Sequence, residues 1–547
     1  MTSSVFASER LLFTPATSNR DAIPTIFAFP NQYSVGITSL GYQVVWTTLA
    51  MRSDLQVSRL FTDESENLPR NPELLGFSMS WELDYVNILS LLEFLEIPIR
   101  GNCRDNNHPI VFGGGPVLTA NPEPFADFFD VILLGDGENL LGNFIDAYKQ
   151  VRNADRQHKL KALAQIPGVY VPSLYQVEYH ALDGEIKSIQ PISPEIPAII
   201  EKQTYRGNIL SASTVVTEKA AWENIYMVEV VRSCPEMCRF CLASYLTLPF
   251  RTASLETSLI PAIERGLQVT NRLGLLGASV TQHPEFAALL DYINQPKYDD
   301  VRLSIASVRT NTVTEKLAKT LANRETKSLT IAIESGSERV RNLINKKLEQ
   351  EDIIQAAVNA KSGGLSGLKL YGMVGIPGEK SEDLDATVEM LLNMKKAAPG
   401  LRLSWGCSTF VPKAHTPFQW YGVNQQAEKR LLFLQKKLKP KGIEFRPESY
   451  NWSIIQALLS RGDRRLSQLL ELTREFGDSL GSYKRAFKQL KGQIPDLDFY
   501  VHSNWSTDIV LPWNHLQGPL QKSTLLKHLM DAQSYFPSSQ QDFQLVK

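Results

Sequence analysis

Three of the chain's five cysteines fall within the run Val231-Arg232-Ser233-Cys234-Pro235-Glu236-Met237-Cys238-Arg239-Phe240-Cys241, spaced C-x3-C-x2-C. A structural zinc site wants four protein ligands, usually as two separated pairs. Three thiolates in one tight loop instead leave a fourth corner open. An iron–sulfur cube held by Cys234, Cys238 and Cys241 has one iron without a protein thiolate, free to take a cofactor or substrate. Phe240, directly before the last cysteine, shields one side of such a cluster from water. The loop by itself leaves two other readings open: a zinc knuckle with a distant fourth ligand, and a plain electron-carrying cluster.

The loop resembles that of the radical S-adenosylmethionine (SAM) enzymes, which carry C-x3-C-x-aromatic-C after the first strand of a partial (β/α) barrel. Ile225 to Val231 reads as that strand. The resemblance implies a [4Fe-4S] cluster whose open iron chelates SAM, and reductive cleavage of SAM to a 5′-deoxyadenosyl radical that abstracts hydrogen from a substrate. It also implies a small electron donor such as flavodoxin or ferredoxin. The substrate is unknown.

Composition fits that class and excludes others. A chain of 547 residues holds about three domains. Its 43% hydrophobic and 21% charged residues are those of an ordinary soluble protein. A formal net charge of -1 gives no nucleic-acid signature. No apolar run reaches the length of a transmembrane segment, and no secretory signal precedes Leu11. Cys103 and Cys407 stand far apart, so no disulfide framework is expected; a reducing cytoplasm suits both facts.

An α/β fold is expected throughout, in four parts. Over residues 1–155, apolar runs at Ile23–Phe29, Leu74–Ser80, Pro109–Phe112 and Val131–Leu134 alternate with helical spacing, as in a doubly wound, Rossmann-like domain. Its strands end in glycines, which let backbone amides approach a phosphate or a flat ring. Gly113-Gly114-Gly115, Asn121-Pro122-Glu123-Pro124 and Gly135-Asp136-Gly137-Glu138 together resemble the cobalamin-binding-type domain that precedes many radical SAM barrels. The resemblance implies a cofactor near Ser39, Leu40, Gly41, Gly114, Gly115 and Gly137. The D-x-H-x-x-G of histidine-ligated cobalamin domains is absent. Two readings stay open: cobalamin bound without that histidine, or a retained scaffold. Residues 156–222 read as a β-hairpin linker turning at Asp183-Gly184.

Residues 223–425 repeat strand and helix six times, as a partial (β/α)6 barrel requires. Functional groups in parallel barrels gather at the C-terminal strand ends. By resemblance, Glu334 takes the SAM ribose hydroxyls and Gly375-Ile376-Pro377-Gly378 packs against adenine. Arg309 is a candidate for the SAM carboxylate, which a guanidinium pairs bidentately. His283, His415 and Cys407 read as loop and core residues rather than chemistry.

Residues 426–547 read as a mainly helical region with a charged knot, Arg461-Gly462-Asp463-Arg464-Arg465, which suits a substrate clamp, a phosphate site or, most simply, an inter-helix ion network. Pro512-Trp513-Asn514-His515 is expected to cap the barrel mouth. The knot and Thr416-Pro417-Phe418-Gln419-Trp420 extend the resemblance, which reaches the cyanobacterial radical SAM group named for photosystem II high-light acclimation. The expected activity is radical SAM chemistry, with C-methylation if cobalamin binds. The alternatives are a cobalamin-free rearrangement or cyclisation, a methylthiolation, and a non-catalytic iron–sulfur redox sensor or electron carrier.

Overall fold

The computed structural model describes residues 4–536. Its first sheet comprises β1 (Ile23–Ala28), β2 (Leu55–Leu60), β3 (Leu74–Ser78), β4 (Ile110–Gly114), β5 (Val131–Leu133) and β6 (Val169–Tyr170). They lie in the order β2-β1-β3-β4-β5-β6, parallel except for β6. Nearly every residue of β1, β3, β4 and β5 is buried, which is why these strands read as unbroken apolar runs. The chain leaves β1 for one side and returns as β3 on the other. That reversal opens a crevice at the strands' C-terminal ends. Helices α1 (Leu40–Ala50) and α2 (Gly137–Gln150) begin beside it. Gly115, at φ 117°, is required: a Cβ there would lie 2.4 Å from the Met79 carbonyl oxygen.

The segment between the sheets is bound into the fold rather than strung between domains. The hairpin Tyr175–Tyr179 with Ile186–Pro191 forms, but Val169–Tyr170 joins the first sheet as β6. Farther on, Ile200–Glu201 pairs with Leu516–Gln517 from the end of the chain.

The second sheet system comprises β7 (Ile225–Glu229), β8 (Arg272–Leu276), β9 (Arg302–Ile305), β10 (Ser328–Glu334), β11 (Gly367–Val374) and β12 (Arg402–Thr409), all parallel. A bridge between Val308 and Ile331 joins its two halves. A seventh parallel strand, β13 (Glu444–Pro447), extends the crescent from within the region read as helical. Four residues ending in proline, on an edge, carry no periodic signal.

The C-terminal helices Tyr450–Arg461 and Leu466–Glu475 pack on the first domain through the charged knot. Arg464 bonds Glu123 at 3.1 and 3.2 Å, the Tyr170 hydroxyl, and the carbonyls of Pro172 and Tyr175. Burial alone would raise the Glu123 carboxyl; Arg464 and His515 outweigh it and hold it below the usual carboxylate range. Arg465 pairs with Asp463, and Arg461 donates to the carbonyls of Tyr500, Val501 and Ser503 while lying 3.7 Å over the Trp505 ring. Pro512–His515 does not cap the barrel mouth. Trp513 donates to Gln419, and the His515 ring lies 4.9 Å from that of Tyr170, inside this interface.

Burial pulls His415 and His515 down to about 4 from 6.5. Glu123, Arg464 and Tyr170 face His515, while His515 and Lys202 are the charged or titratable groups acting on His415. Between those pH values the unfolded chain binds more protons, so folding stability falls as pH drops from about 6.5 to about 4. Each histidine contributes at most roughly 3 kcal/mol to that loss. Thermal unfolding midpoints across this window should fall less steeply in His515→Gln than in the wild type.

Candidate active site

The cysteine loop leaves β7 through a two-residue strand, Val231–Arg232, paired with Arg251–Thr252. Ser233 and Met237 adopt left-handed φ of 72° and 56°, which curls the loop between them. The Cys234 N–H donates to the Ala243 carbonyl and the Cys241 N–H to that of Cys238. A second segment clamps the loop from outside. Arg239 donates to the carbonyls of Asn342 and Leu343, and its own N–H to Ile344; Asn345 Nδ2 donates to the carbonyls of Glu236 and Met237. The Tyr245 hydroxyl reaches the Met237 carbonyl and His528 Nδ1.

Cys238 is buried, and Cys234 and Cys241 are half-buried. Burial pushes the Cys238 thiol up to about 12 and raises Cys241 as well, so iron binding must release their protons. Among the described residues no three His, Cys, Asp or Glu side chains converge as ligands of one ion. A cube makes no such demand, because it spreads its thiolates over separate irons. The three cysteines need not converge on one point to serve as cluster ligands. Phe240, beside them, packs on the apolar core.

Glu334 ends β10 at φ 73°, just past a bulge, and is buried. Its Oε1 lies 3.1 Å from Lys346 Nζ. Burial pulls the Lys346 ammonium down, but Glu334 and the nearby Cys238 outweigh it and hold it above its ordinary value. Lys346 was not legible in the sequence: within Asn345-Lys346-Lys347 it looks like half of a surface doublet. Arg309 is committed elsewhere. It pairs with Glu236 at 2.9 Å and donates to the carbonyls of Lys346 and Lys347, so it ties the cysteine loop to the loop bearing Lys346. Glu236 also accepts from Gln282.

Gly375 and Gly378 both take φ 77°. The turn between them is held by Glu379, a residue the sequence did not single out. Glu379 accepts the Gly375 N–H at 2.7 Å and pairs with Arg430. Burial pushes its carboxyl up to about 7, against the pull of Arg430. His283 bonds the Ala253 carbonyl and the Glu285 N–H, and Cys407 is packed among the helices outside the strands.

A cavity of about 520 Å³ lies between the crevice of the first sheet and the cysteine loop. Of the residues expected there, Leu40, Gly41, Gly114, Gly115 and Gly137 line it. Ser39 instead caps α1, accepting the Tyr42 N–H at 3.4 Å. Barrel residues Glu229, Arg232, Ser233 and Leu276–Ala278 form the opposite wall. The glycines keep the near wall bare. A Cβ on Gly41 would meet nothing within 4 Å, and one on Gly137 only Val45 at 3.7 Å. Phe27, Phe77, Phe112 and Leu133 make it largely apolar, and no histidine lines it.

Arg232 crosses between the walls. It bonds Glu229 twice at 2.8 Å, Glu138 at 2.7 Å and Asp136 at 3.4 Å, while Arg251 takes the other Asp136 oxygen at 2.5 Å. An apolar pocket of this size with a few convergent charges is the form of a small-molecule site.

Comparison with known proteins agrees with this architecture. Residues 42–172 match the family described as radical SAM proteins, N-terminal, and residues 228–391 match the radical SAM superfamily. The chain is 28% identical over 459 residues to an uncharacterized protein of Methanocaldococcus jannaschii, covering 84% of this chain and 93% of that one. It is 24% identical over 297 residues to an uncharacterized methyltransferase of Pyrococcus horikoshii, covering 52% and 58%. A solved structure of the radical SAM methyltransferase TsrM from Kitasatospora setae, with cobalamin and a [4Fe-4S] cluster bound, superposes with TM-score 0.49 at 14% identity, covering 73% and 77%. The chain carries radical SAM domains. It is a radical SAM enzyme and needs an electron donor. Among the described residues no helix is long and apolar enough to cross a membrane.

Removing Arg232 leaves three carboxylates facing each other across the two walls. Arg232→Met should destabilise the fold by about 3 kcal/mol. Arg232→Lys should recover part of that in a thermal melt; an unchanged melt for Arg232→Met would show the two walls to be held otherwise.

Proposed function

We propose that this chain is a cobalamin-dependent radical SAM enzyme that methylates carbon. The observation that carries the reading is the interdomain cavity, whose bare glycine wall faces the cluster-type loop across an apolar gap. The likeness to the uncharacterized methyltransferase of Pyrococcus horikoshii supports it. Cys234, Cys238 and Cys241 would hold the cluster and would leave one iron open to SAM. Bound and reduced, the cluster supplies the electron that cleaves SAM; cobalamin, bound in the cavity, supplies a transferable methyl group.

The chain's own residues position the reactants. Glu334 receives the SAM ribose hydroxyls, with Lys346 holding its carboxylate in place and offering the cation nearest that site. Arg309 acts through the loops it joins. Gly375 and Gly378, braced by Glu379, shape the adenine-side turn. Phe77, Phe112 and Phe27 exclude water from the cavity.

Methylthiolation is the weaker reading. Cys103 is exposed and Cys407 is buried among helices, so neither joins a second cluster at the cavity. A bare electron carrier has no use for the cavity or for the Glu334 pocket. We place the enzyme in a reducing cytoplasm, with flavodoxin or ferredoxin as electron donor. The likeness to the high-light acclimation group supplies a physiological setting for the reaction, not its substrate.

Gly41→Leu tests the cavity directly. It sits in α1, where Leu is a better helix former than Gly, so the fold should be no less stable. Its side chain projects into the open space. After reconstitution the variant should keep its iron and lose at least tenfold of its affinity for hydroxocobalamin, measured by equilibrium dialysis. Unchanged cobalt binding would remove cobalamin from this cavity.

A further inference from the structure

The inner face of β10 to β13 is separate from the walls of the interdomain cavity. Along β11, Leu368, Leu370 and Val374 face the surrounding helices, whereas Lys369 and Tyr371 face the other way, into the lumen. The strand register places Ala332, Tyr371, Gly406 and Arg446 in one row across β10 to β13. The next row toward the strands' N-terminal ends holds Thr330, Lys369, Ser404 and Glu444. A closed parallel barrel fills such rows with bulky branched side chains. Here Ala332, Gly406, Thr330 and Ser404 offer only a methyl group, a glycine and hydroxyls beside Tyr371, Lys369 and the edge pair Arg446 and Glu444, and both Tyr371 and Lys369 stay exposed.

Tyr371 is the one aromatic side chain in these rows, and it is 51% exposed although it sits mid-strand. Its ring lies over Gly406: a Cβ on that glycine would stand 3.0 Å from Tyr371 Cδ1 and 3.1 Å from Cε1. The ring rests against the glycine backbone, and about half of the residue is open to solvent. Arg446 is held by Glu444 at 2.6 Å. Lys369, one row below the ring, is exposed and has no ion pair or hydrogen bond among the described residues. Tyr371 directly precedes Gly372, the register partner of Glu334. The platform therefore lies one step beneath the strand end that carries the SAM-side carboxylate.

We propose that the lumen is the substrate chamber, and that Tyr371 on Gly406 is its stacking platform for a flat, conjugated substrate bearing an anionic group toward Lys369. The proposal rests on the radical SAM reading for its role in the reaction. Its binding chemistry stands on the geometry alone. An offset-stacked ring pair favours a flat partner over a puckered one of equal size by up to about tenfold. A lone ammonium adds preference for an anion.

The test uses the full chain, reconstituted with its cluster and saturated with SAM, and three probes: 2-naphthoate, 2-naphthamide and decalin-2-carboxylate. Titrations followed by saturation-transfer NMR should show 2-naphthoate binding about tenfold more tightly than decalin-2-carboxylate. Tyr371→Ala should erase that difference and Tyr371→Phe should retain it. Lys369→Gln should weaken 2-naphthoate about threefold and leave 2-naphthamide unchanged. No saturable binding of 2-naphthoate, a preference that survives Tyr371→Ala, or competitive displacement by hydroxocobalamin would each overturn the proposal. Formation of 5′-deoxyadenosine by the wild type, assayed separately, reports on the enzyme reading; its failure with the naphthoate preference intact would overturn that reading and not the chamber.

Discussion

The guanidinium of Arg232 holds the molecule's two halves in register. It is two residues from the first cluster-type cysteine, yet its partners come from both sides: Glu229 at the end of a barrel strand, Glu138 and Asp136 at the head of a helix in the first domain. Asp136 is in turn held by Arg251 and by the Tyr205 N–H. A largely buried set of charges this close is tolerable only when every member is paired, and here Arg232 meets carboxylates from both walls while Arg251 meets Asp136 and three carbonyls. The cavity between the glycine wall and the cysteine loop has a defined width because this network spans it.

The C-terminal region completes the frame from behind. Arg464 and Glu123 lock the helical region onto the first sheet, and Arg461, without a carboxylate, satisfies three carbonyls instead. On the barrel side, Arg239, Asn345 and Arg309 tie the cysteine loop to the segment bearing Lys346. The reactive groups are thus set by arginine contacts to backbone and carboxylate, while the strands supply direction.

Much of this was legible along the chain. Buried parallel strands appear as apolar runs, strand-end glycines mark the close approaches at the crevice, and three cysteines in one loop announce their own chemistry. Glu334 could be located because it ends a strand. What stayed hidden depends on partners distant in sequence. Lys346 resembles any surface lysine until the fold sets Glu334 against it. Arg309 has the type and place of a carboxylate ligand, yet Glu236 and two carbonyls claim it. Asp136 and Glu138 stand among strand-end glycines with no role of their own in the sequence, and only the opposing Arg232 makes them part of a site. The strand β13 is too short and too exposed to show a period.

The central claim is that Cys234, Cys238 and Cys241 form one working unit with the pocket at Glu334. Anaerobic reconstitution followed by iron and sulfide counts, with an electron paramagnetic resonance spectrum of the reduced protein before and after adding SAM, tests it most directly. The account predicts about four irons per chain, a reduced-cluster signal that shifts on adding SAM, and a smaller shift in Glu334→Gln. Zinc in place of iron, or a cluster signal indifferent to SAM, would contradict it.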